Sequence, residues 1–245
     1  MNILKIVLVV LAILSVPLSA KEYKSGVIQM NTIELFSSEG CSSCPPADEW
    51  ISDYVHNDEV FKKVIPMVFH VPYWDYIGWK DPFAMIYSET RQREYESEKR
   101  SKFVYTPQFI VNSKEWKGWF NTLLDREWKA STKKVGVLEI KYNEVSNQVN
   151  IKFSPISKIS KKYRLHIAVL GMGISSSIKR GENANRELLH DFVVLNHKQY
   201  KTQQNGQWSV KMLEIPSKNQ KRNAIVAWIS SEDSQKITQS TGGYL

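Results

Sequence analysis

Cysteine is scarce in this sequence, and so are the residue patterns of several common enzyme classes. Only 2 of the 245 residues are cysteine, so no framework of disulfides links distant segments. The sequence has no glycine-rich phosphate loop, no Ser-His-Asp set in a convincing context and no glycosidase pair of carboxylates. After residue 20, no apolar run approaches the roughly 20 residues of a membrane span. The cysteine pair is therefore the main candidate for chemistry.

One strongly apolar stretch does occur, within residues 1–20. Lys5 supplies a short basic start, residues 6–14 an apolar core, and small residues follow, an order typical of a secretory signal peptide. Cleavage is expected after Ala20, although the size of Leu18 leaves an uncleaved anchor as an alternative. We expect an extracytoplasmic protein, periplasmic or secreted, in a compartment where disulfides persist. No membrane span is expected after signal cleavage.

Basic charge is concentrated in the second part of the chain. Residues 1–134 contain 17 Lys+Arg and 17 Asp+Glu, whereas residues 135–245 contain 16 and 8, so the whole net charge of +8 lies there. This change in composition predicts a domain boundary near residue 135. The basic residues are scattered and have no interleaved aromatics, which favours a solvated surface and no nucleic-acid partner.

Cys41 and Cys44 stand three positions apart in Glu-Leu-Phe-Ser-Ser-Glu-Gly-Cys-Ser-Ser-Cys-Pro-Pro-Ala-Asp, residues 34–48. A disulfide between them closes a loop so short that it contributes only about 2 kcal/mol of stability, which makes it a weak staple. Two sulfurs held this close favour reversible exchange. The pair predicts a redox-active dithiol, with metal ligation and a passive disulfide as alternatives.

The Pro-Pro pair after Cys44 indicates where the next helix starts. Proline has no backbone N–H and is tolerated in a helix's first turn, where those donors are unpaired anyway. This predicts an N-cap at Ser42 or Ser43. Cys41 then lies just ahead of a helix N-terminus, whose free N–H groups and dipole favour a thiolate. We assign Cys41 as the attacking nucleophile and Cys44 as the resolving thiol.

Apolar periodicity predicts alternating strands and helices around this pair. Alternation predicts a strand at residues 30–37, and helical spacing from Ala47 predicts an amphipathic helix of about 13 residues with Asp48 on its polar face. The further predicted elements are a strand at 64–71, a helix opened by Asp81 and running to about residue 100, strands at 108–112 and 116–120, and a last helix capped by Asn121 and running to about residue 134.

Residues 135–245 differ in local composition, because short β-rich runs alternate with segments of Asn, Ser, Gly and Lys. The runs lie at residues 137–142, 148–153, 163–170, 192–195, 208–213 and 224–229. Their lengths and spacing predict a small all-β domain resembling an antiparallel sandwich.

The order of elements predicted for residues 21–134, with Cys-x-x-Cys where the first strand meets its helix, resembles the thioredoxin fold. Segments similar to a secreted bacterial family of thioredoxin-like proteins, whose function is unassigned, lie at residues 34–48, 70–83, 105–108 and 180–183. The resemblance implies an α/β thioredoxin-like domain followed by the small all-β domain at 135–245. It also implies a cis peptide bond before Pro107, facing the dithiol.

Two ionisable residues are further candidates. The resemblance implies that Glu34 is a buried acid that passes a proton to or from the resolving thiol; a strand residue that reaches solvent is the alternative. His70 ends the second predicted strand, where it can lower a thiol pKa or be structural. It can also complete a copper or zinc site with Cys41 and Cys44. We expect no cofactor unless this copper alternative holds.

Aromatic side chains are dense near the predicted site strands. Trp74 and Trp79 are candidates for a substrate groove, with packing in the core as the alternative. Thr106, beside Pro107, is expected to pair with the substrate backbone. The charged turn at residues 180–183 either reaches back over the dithiol or forms a surface loop.

These features predict a thiol-disulfide oxidoreductase whose partner is a protein or small-molecule thiol or disulfide. Two alternatives remain. One is a copper-binding protein or chaperone that uses Cys41, Cys44 and His70, and the other is a non-catalytic partner-binding module.

Overall fold

The structure is a computed structural model that describes residues 20–120, 127–156, 162–201 and 206–245. The predicted signal peptide lies outside these residues except for Ala20, and so do the first residues of the helix predicted to begin at Asn121. No helix within the described ranges combines the length and the apolar character needed to cross a membrane.

Strands dominate the described residues, and the helices are short. The helices are α1 (Pro45–Ser52), α2 (Ile86–Ser97) and 3₁₀ segments at Asp53–His56, Pro72–Ile77 and Gly118–Phe120. The strands are β1 (Ala20–Lys24), β2 (Asn31–Ser37), β3 (Val64–His70), β4 (Gln108–Val111), β5 (Lys114–Glu115), β6 (Gly136–Asn143), β7 (Gln148–Pro155), β8 (Tyr163–Met172), β9 (Ile174–Ser177), β10 (Glu187–His190), β11 (Val193–Lys201), β12 (Gln207–Lys211), β13 (Arg222–Ser231) and β14 (Ile237–Tyr244).

One large mixed sheet runs through the molecule. Its eight strands lie in the order β14-β13-β8-β11-β3-β2-β4-β5. Strand β3 is parallel to both β2 and β11, whereas the other neighbouring pairs are antiparallel. Four more strands form a second sheet in the order β1-β6-β7-β12, and β9 pairs with β10 in a ribbon.

The large sheet has an apolar core on each face. Side chains of a strand alternate between faces, and in β8 both sets are buried: Leu170 joins the core with α1, β2 and β3, while Leu165 and Ile167 join a core with the second sheet. A strand that is buried on both faces needs a nearly continuous apolar sequence, which β8 has.

The predicted fold class is wrong. About 45% of the described residues are in strands and 16% in helices, in large mixed sheets, so the chain is not an α/β thioredoxin-like domain followed by a small all-β sandwich. The physical reason lies at β3, whose second edge pairs with β11 at Val68 and Val193. Through β11, the strands β8, β13 and β14 join the same sheet. The boundary at residues 134 and 135 stays a prediction.

Several predicted elements need correction. The helix expected from Asp81 begins only at Ile86, because the Asp81 carboxylate accepts hydrogen bonds from the Phe83 N–H and from Glu39 N–H instead of capping a helix. Residues 127–134 are not helical, and residues 116–120 form no strand. Each of the six β-rich runs of the second half contains a strand, although the strand in the run at 208–213 ends at Lys211. Strands β1, β9, β10 and β14 were missed.

The charged side chain of Arg91 lies within the core and links α2 to β2. Arg91 Nε and the Tyr95 hydroxyl donate to the two oxygens of Glu34, each at 2.6 Å. Arg91 also donates to Gln235, just ahead of β14. Arg91, Tyr95 and Glu34 are all fully buried. The predicted burial of Glu34 is confirmed, and the alternative that it reaches solvent is wrong.

Substitution of Glu34 by glutamine is expected to destabilise the fold by about 3–5 kcal/mol, because it leaves the buried Arg91 charge without its counter-ion. Chemical denaturation monitored by circular dichroism measures this loss. The matched control is Glu89→Gln, which breaks the more exposed pair with Arg93 and is expected to change stability by less than about 1 kcal/mol. Equal effects from both variants would contradict a structural role for the buried pair.

Acid is expected to destabilise the fold through His166. Burial, with the charges of Arg91, His197 and Arg164, holds the pKa of His166 well below its usual value. The unfolded chain takes up a proton near pH 6.5 and the native state does not, so stability falls as the pH drops below about 6.5. In His166→Gln, the slope of unfolding free energy against pH, measured from pH 7.5 to 5, should fall by up to about 1.4 kcal/mol per unit. The exposed control His56→Gln should keep the wild-type slope.

Candidate functional site

The two cysteines form a disulfide at the start of α1, with their Cα atoms 5.4 Å apart. Cys44 is itself the N-cap, and its carbonyl accepts the N–H groups of Ala47 and Asp48. The predicted cap at Ser42 or Ser43 is therefore one or two residues too early. The helix-starting prolines were placed correctly. Both cysteines are buried, whereas Ser42 and Ser43 are exposed.

A hydroxyl group lies against the first sulfur. Ser43 Oγ is 3.2 Å from Cys41 Sγ, so this hydroxyl can donate to a Cys41 thiolate once the disulfide is reduced. Ser43 was predicted only as a possible helix cap, and its contact with the sulfur was missed. Its position inside Cys-x-x-Cys, one residue before the helix cap, was the available signal.

Residues 180–183 reach back over the disulfide loop, which was one of the two alternatives. Asn183 is fully buried and donates from Nδ2 to the carbonyls of Glu39, at 2.8 Å, and Cys41, at 3.0 Å. Glu182 accepts the Ser42 N–H at 3.1 Å, and hydrogen bonds from the Ser42 side chain and backbone lower the pKa of its carboxyl. We call residues 180–183 the cover loop.

The cover loop also packs closely on the segment after β3. Gly181 has φ of +80°, and a Cβ there would lie 3.2 Å from Ile77 and 3.3 Å from Trp79. Glycine therefore provides both the left-handed backbone and the close approach. The predicted substrate residue Trp79 lies beneath this loop and donates to Glu39 Oε2 at 2.7 Å.

The other predicted substrate residues lie together beside the disulfide loop. The Thr106–Pro107 peptide bond is cis, as expected. Gln108 pairs with Phe36 near the end of β2, so this bond lies at the edge of the sheet from which the cysteine loop leaves. Trp74 donates to Thr106 Oγ1 at 2.7 Å.

The aromatic residues divide into two groups. Trp74 stacks with Tyr76, which is 81% exposed, so this pair offers a surface next to the site. Trp116 and Trp119 pack with Trp50 and belong to the core.

A buried polar cluster lies under the same loop, where the parallel strands β2 and β3 end. Ser37 and His70 are paired in register at these ends. Ser37 donates to Asp48 Oδ2 at 2.9 Å, and His70 Nδ1 is 2.7 Å from Asp81 Oδ2. His190, at the end of β10, has Nε2 3.1 Å from Glu39 Oε1. We call Glu39, Asp48, His70, Asp81 and His190 the polar cluster.

The members of this cluster perturb one another's ionisation. Burial opposes protonation of His70, but Asp81, Asp48 and Glu39 outweigh it and raise the pKa of His70 to about 9. Burial likewise opposes ionisation of Asp81, yet His70 holds its pKa below the ordinary value. The pKa of Asp48 is raised, because burial outweighs the histidine charges. The cluster thus concentrates negative charge around two imidazoles.

The sequence identified only part of this arrangement. Asp48 was expected on the polar face of α1, yet it is 5% exposed. His70 was matched with the two cysteines, whereas within the described residues the structure groups it with Asp48 and His190. Glu39 and His190 were missed. Both are polar residues beside apolar strands, and their pairing across about 150 positions has no local signal.

A family model described as a protein of unknown function (DUF1223) matches residues 32–230. The chain belongs to this family. The resemblance inferred from the sequence holds at the level of a family of unknown function, and nothing in the comparisons supports membership of the thioredoxin superfamily.

Two solved structures share the fold. A crystal structure of a protein from Agrobacterium tumefaciens has a TM-score of 0.59 and 22% identity, and the match covers 86% of this chain and 92% of that one. HBP35 of Porphyromonas gingivalis has a TM-score of 0.55 and 16% identity, with 90% of this chain and 76% of that one covered. No curated protein matches the chain.

Substitution of Asn183 by aspartate should loosen the cover loop. Aspartate has the same shape but no N–H groups, so it leaves the carbonyls of Glu39 and Cys41 unpaired and adds a buried charge. The expected loss of stability is at least about 1–3 kcal/mol, with faster reduction of the disulfide by dithiothreitol under native conditions. In Glu182→Gln, which alters an exposed contact, both should remain near wild type. An unchanged reduction rate in Asn183→Asp would show that the loop does not shield the sulfurs.

Proposed function

We propose that this protein is an extracytoplasmic thiol-disulfide oxidoreductase. The observation that carries the proposal is the Cys41–Cys44 disulfide at the N-terminus of α1, with a hydroxyl 3.2 Å from the Cys41 sulfur. A disulfide that closes so short a loop adds little stability to the fold, so it suits thiol-disulfide exchange better than reinforcement of the structure. The helix start and the Ser43 hydroxyl both favour negative charge on Cys41.

The exchange proceeds in two steps from the reduced protein. The Cys41 thiolate attacks one sulfur of a partner disulfide, which forms a Cys41 mixed disulfide and releases the other partner sulfur as a thiolate. The Cys44 thiolate then attacks Cys41 Sγ, which closes the intramolecular disulfide and releases the second partner thiolate. The partner disulfide gains two electrons, and Cys41 and Cys44 lose them. The same steps in reverse oxidise a partner dithiol.

The surroundings of the disulfide supply roles for the other candidates. The Thr106–Pro107 segment and the exposed edge of Trp74 offer a surface for a partner segment, with Thr106 next to the site. Because both cysteines are buried, we propose that a partner displaces the cover loop before exchange. The role of Glu34 as a proton shuttle stays a prediction, since its carboxylate pairs with Arg91 and Tyr95.

The copper alternative has less support. The imidazole of His70 bonds to Asp81 and faces His190. In the described part of the chain its neighbouring ligand groups are carboxylate and imidazole, without either sulfur. No particular observation favours a non-catalytic partner-binding module.

Ser43→Ala is expected to lower the thiolate fraction of reduced Cys41, because it removes a hydrogen bond to the charged sulfur. The rate of alkylation by iodoacetamide at neutral pH should fall by up to about tenfold, equivalent to one pKa unit. Ser42→Ala is the matched control, since the Ser42 backbone contacts Glu182 instead. Equal rates in wild type and both variants would remove Ser43 from the mechanism.

Cys44→Ala is expected to trap partners as mixed disulfides with Cys41, because the second step cannot occur. Gel electrophoresis without reductant detects these adducts, and Cys41→Ala/Cys44→Ala should show none. The reduction potential of the purified wild-type protein decides the proposal. A value below about −300 mV, the range of structural disulfides, together with no trapped partner, would argue for a passive disulfide.

A further inference from the structure

Three polar atoms in the polar cluster have no hydrogen-bond partner in the part of the chain that the structure describes. They are Asp48 Oδ1, His70 Nε2 and His190 Nδ1, and all three are shielded from solvent. One imidazole nitrogen of each histidine and one oxygen of Asp48 lie within 4.8 Å of one another. Unpaired buried polar atoms are costly, so three in one place indicate a shared ligand.

The second nitrogen of each ring is held by a carboxylate. His70 Nδ1 bonds to Asp81, and His190 Nε2 bonds to Glu39. In the neutral rings, these bonds place the ring proton on His70 Nδ1 and His190 Nε2, so that His70 Nε2 and His190 Nδ1 have lone pairs available for an ion that displaces any further proton. A carboxylate behind each imidazole is the usual support of a metal-binding histidine.

The supporting carboxylates are themselves fixed. Trp79 donates to Glu39 Oε2, and the Glu39 N–H donates to Asp81 Oδ2. The Ser37 hydroxyl donates to Asp48 Oδ2, whereas Asp48 Oδ1 has no partner among the described residues. The side chains of Asp48, His70 and His190 are thus held in place by four elements: the ends of β2, β3 and β10 and the first turn of α1.

The charge of the cluster favours a cation. Asp48, Asp81 and Glu39 are at most 5% exposed. Within the described residues, the ion-pair partners of Asp81 and Glu39 are His70 and His190, and no Lys or Arg side chain takes that place. A buried excess of carboxylates is compensated by a bound cation or by protons.

We propose that Asp48, His70 and His190 bind a divalent first-row transition ion, with Zn²⁺ as the best match. Two imidazoles and one carboxylate suit zinc in a site with one further position. The three proposed ligands include no soft thiolate, the ligand type that favours copper(I). This site is distinct from the sulfur exchange at Cys41 and Cys44 and does not depend on it.

The geometry accommodates such an ion. Bonds of 2.0–2.1 Å in a tetrahedral site place ligand atoms about 3.3 Å apart. Starting from the outer limit of 4.8 Å, each ligand atom needs to move inward by at most about 0.9 Å. A surface cavity of about 130 Å³, lined by Asp48 and His190 together with Glu49 and Arg186, provides an entrance.

The test uses the full chain with its disulfide intact, freed of metal by a chelator and titrated with Zn²⁺ against a chromophoric competitor. One equivalent should bind. His70→Gln and His190→Gln should each weaken binding at least about tenfold, and the positioning variant Glu39→Gln about 10- to 100-fold. Co²⁺ in place of Zn²⁺ should give the visible absorption of a low-coordinate nitrogen and oxygen site.

Two histidine variants serve as controls. His56→Gln removes an exposed imidazole and His166→Gln a buried one elsewhere, and both should keep wild-type affinity. Cys41→Ser/Cys44→Ser should also bind one equivalent. Absence of stoichiometric Zn²⁺ in the wild type overturns the proposal whatever the variants do. So does binding that survives in both cluster histidine variants, or binding that is lost only with the cysteines.

Discussion

The pairing of β3 with β11 is the contact on which the rest of the molecule depends. The Val68 N–H donates to the Phe192 carbonyl at 2.9 Å, and Val193 lies opposite Val68 in parallel register. His190, three residues before Val193, lies in β10 outside this register, and the turn between β10 and β11 leaves its ring centroid 5.2 Å from that of His70. The cover loop precedes β10 and is carried to the disulfide by the same pairing. One short parallel contact therefore assembles both sites from segments more than a hundred residues apart.

Burial explains why the ionisable groups have different roles. Glu34 and Arg91 neutralise each other as a fully buried pair, and Arg91 also donates to Tyr95, Gln235 and Tyr87. Such a pair fixes geometry and adds little net stability over an apolar equivalent. Among the described residues, no Lys or Arg side chain pairs with the carboxylates of the polar cluster, and three of its atoms lack partners. An ion pair bonded in this way indicates a structural role, whereas three unpaired atoms gathered in one place indicate a site.

Local patterns predicted those features that depend on neighbours in the sequence. Prolines 45 and 46 indicated the start of α1, and alternation or apolar runs indicated β2 and β3. Asp81 was misassigned because a turn residue with a distant hydrogen-bond partner resembles a helix cap. Asp48 was misassigned because helical periodicity treats any carboxylate as solvent-facing. In the structure Asp48 is buried, where Ser37 donates a hydrogen bond to it and the two histidines interact with its charge.

The global arrangement was not predictable from these patterns. Nothing in the sequence near Val64 shows that β3 has a second neighbour. A buried strand has the same continuous apolar sequence whichever strand pairs with it. The residues of the second half therefore suggested a separate sandwich, whereas several of its strands extend the first sheet. Partners such as Asn183 and His190 follow from that extension and have no signature in spacing.

Glu39 serves both sites at once. Its carbonyl is held by Asn183 beside Cys41, and its carboxylate supports His190. Disulfide state and ion occupancy thereby belong to one thermodynamic cycle. If reduction of the disulfide changes the free energy of ion binding, then ion binding changes the free energy of disulfide reduction by the same amount.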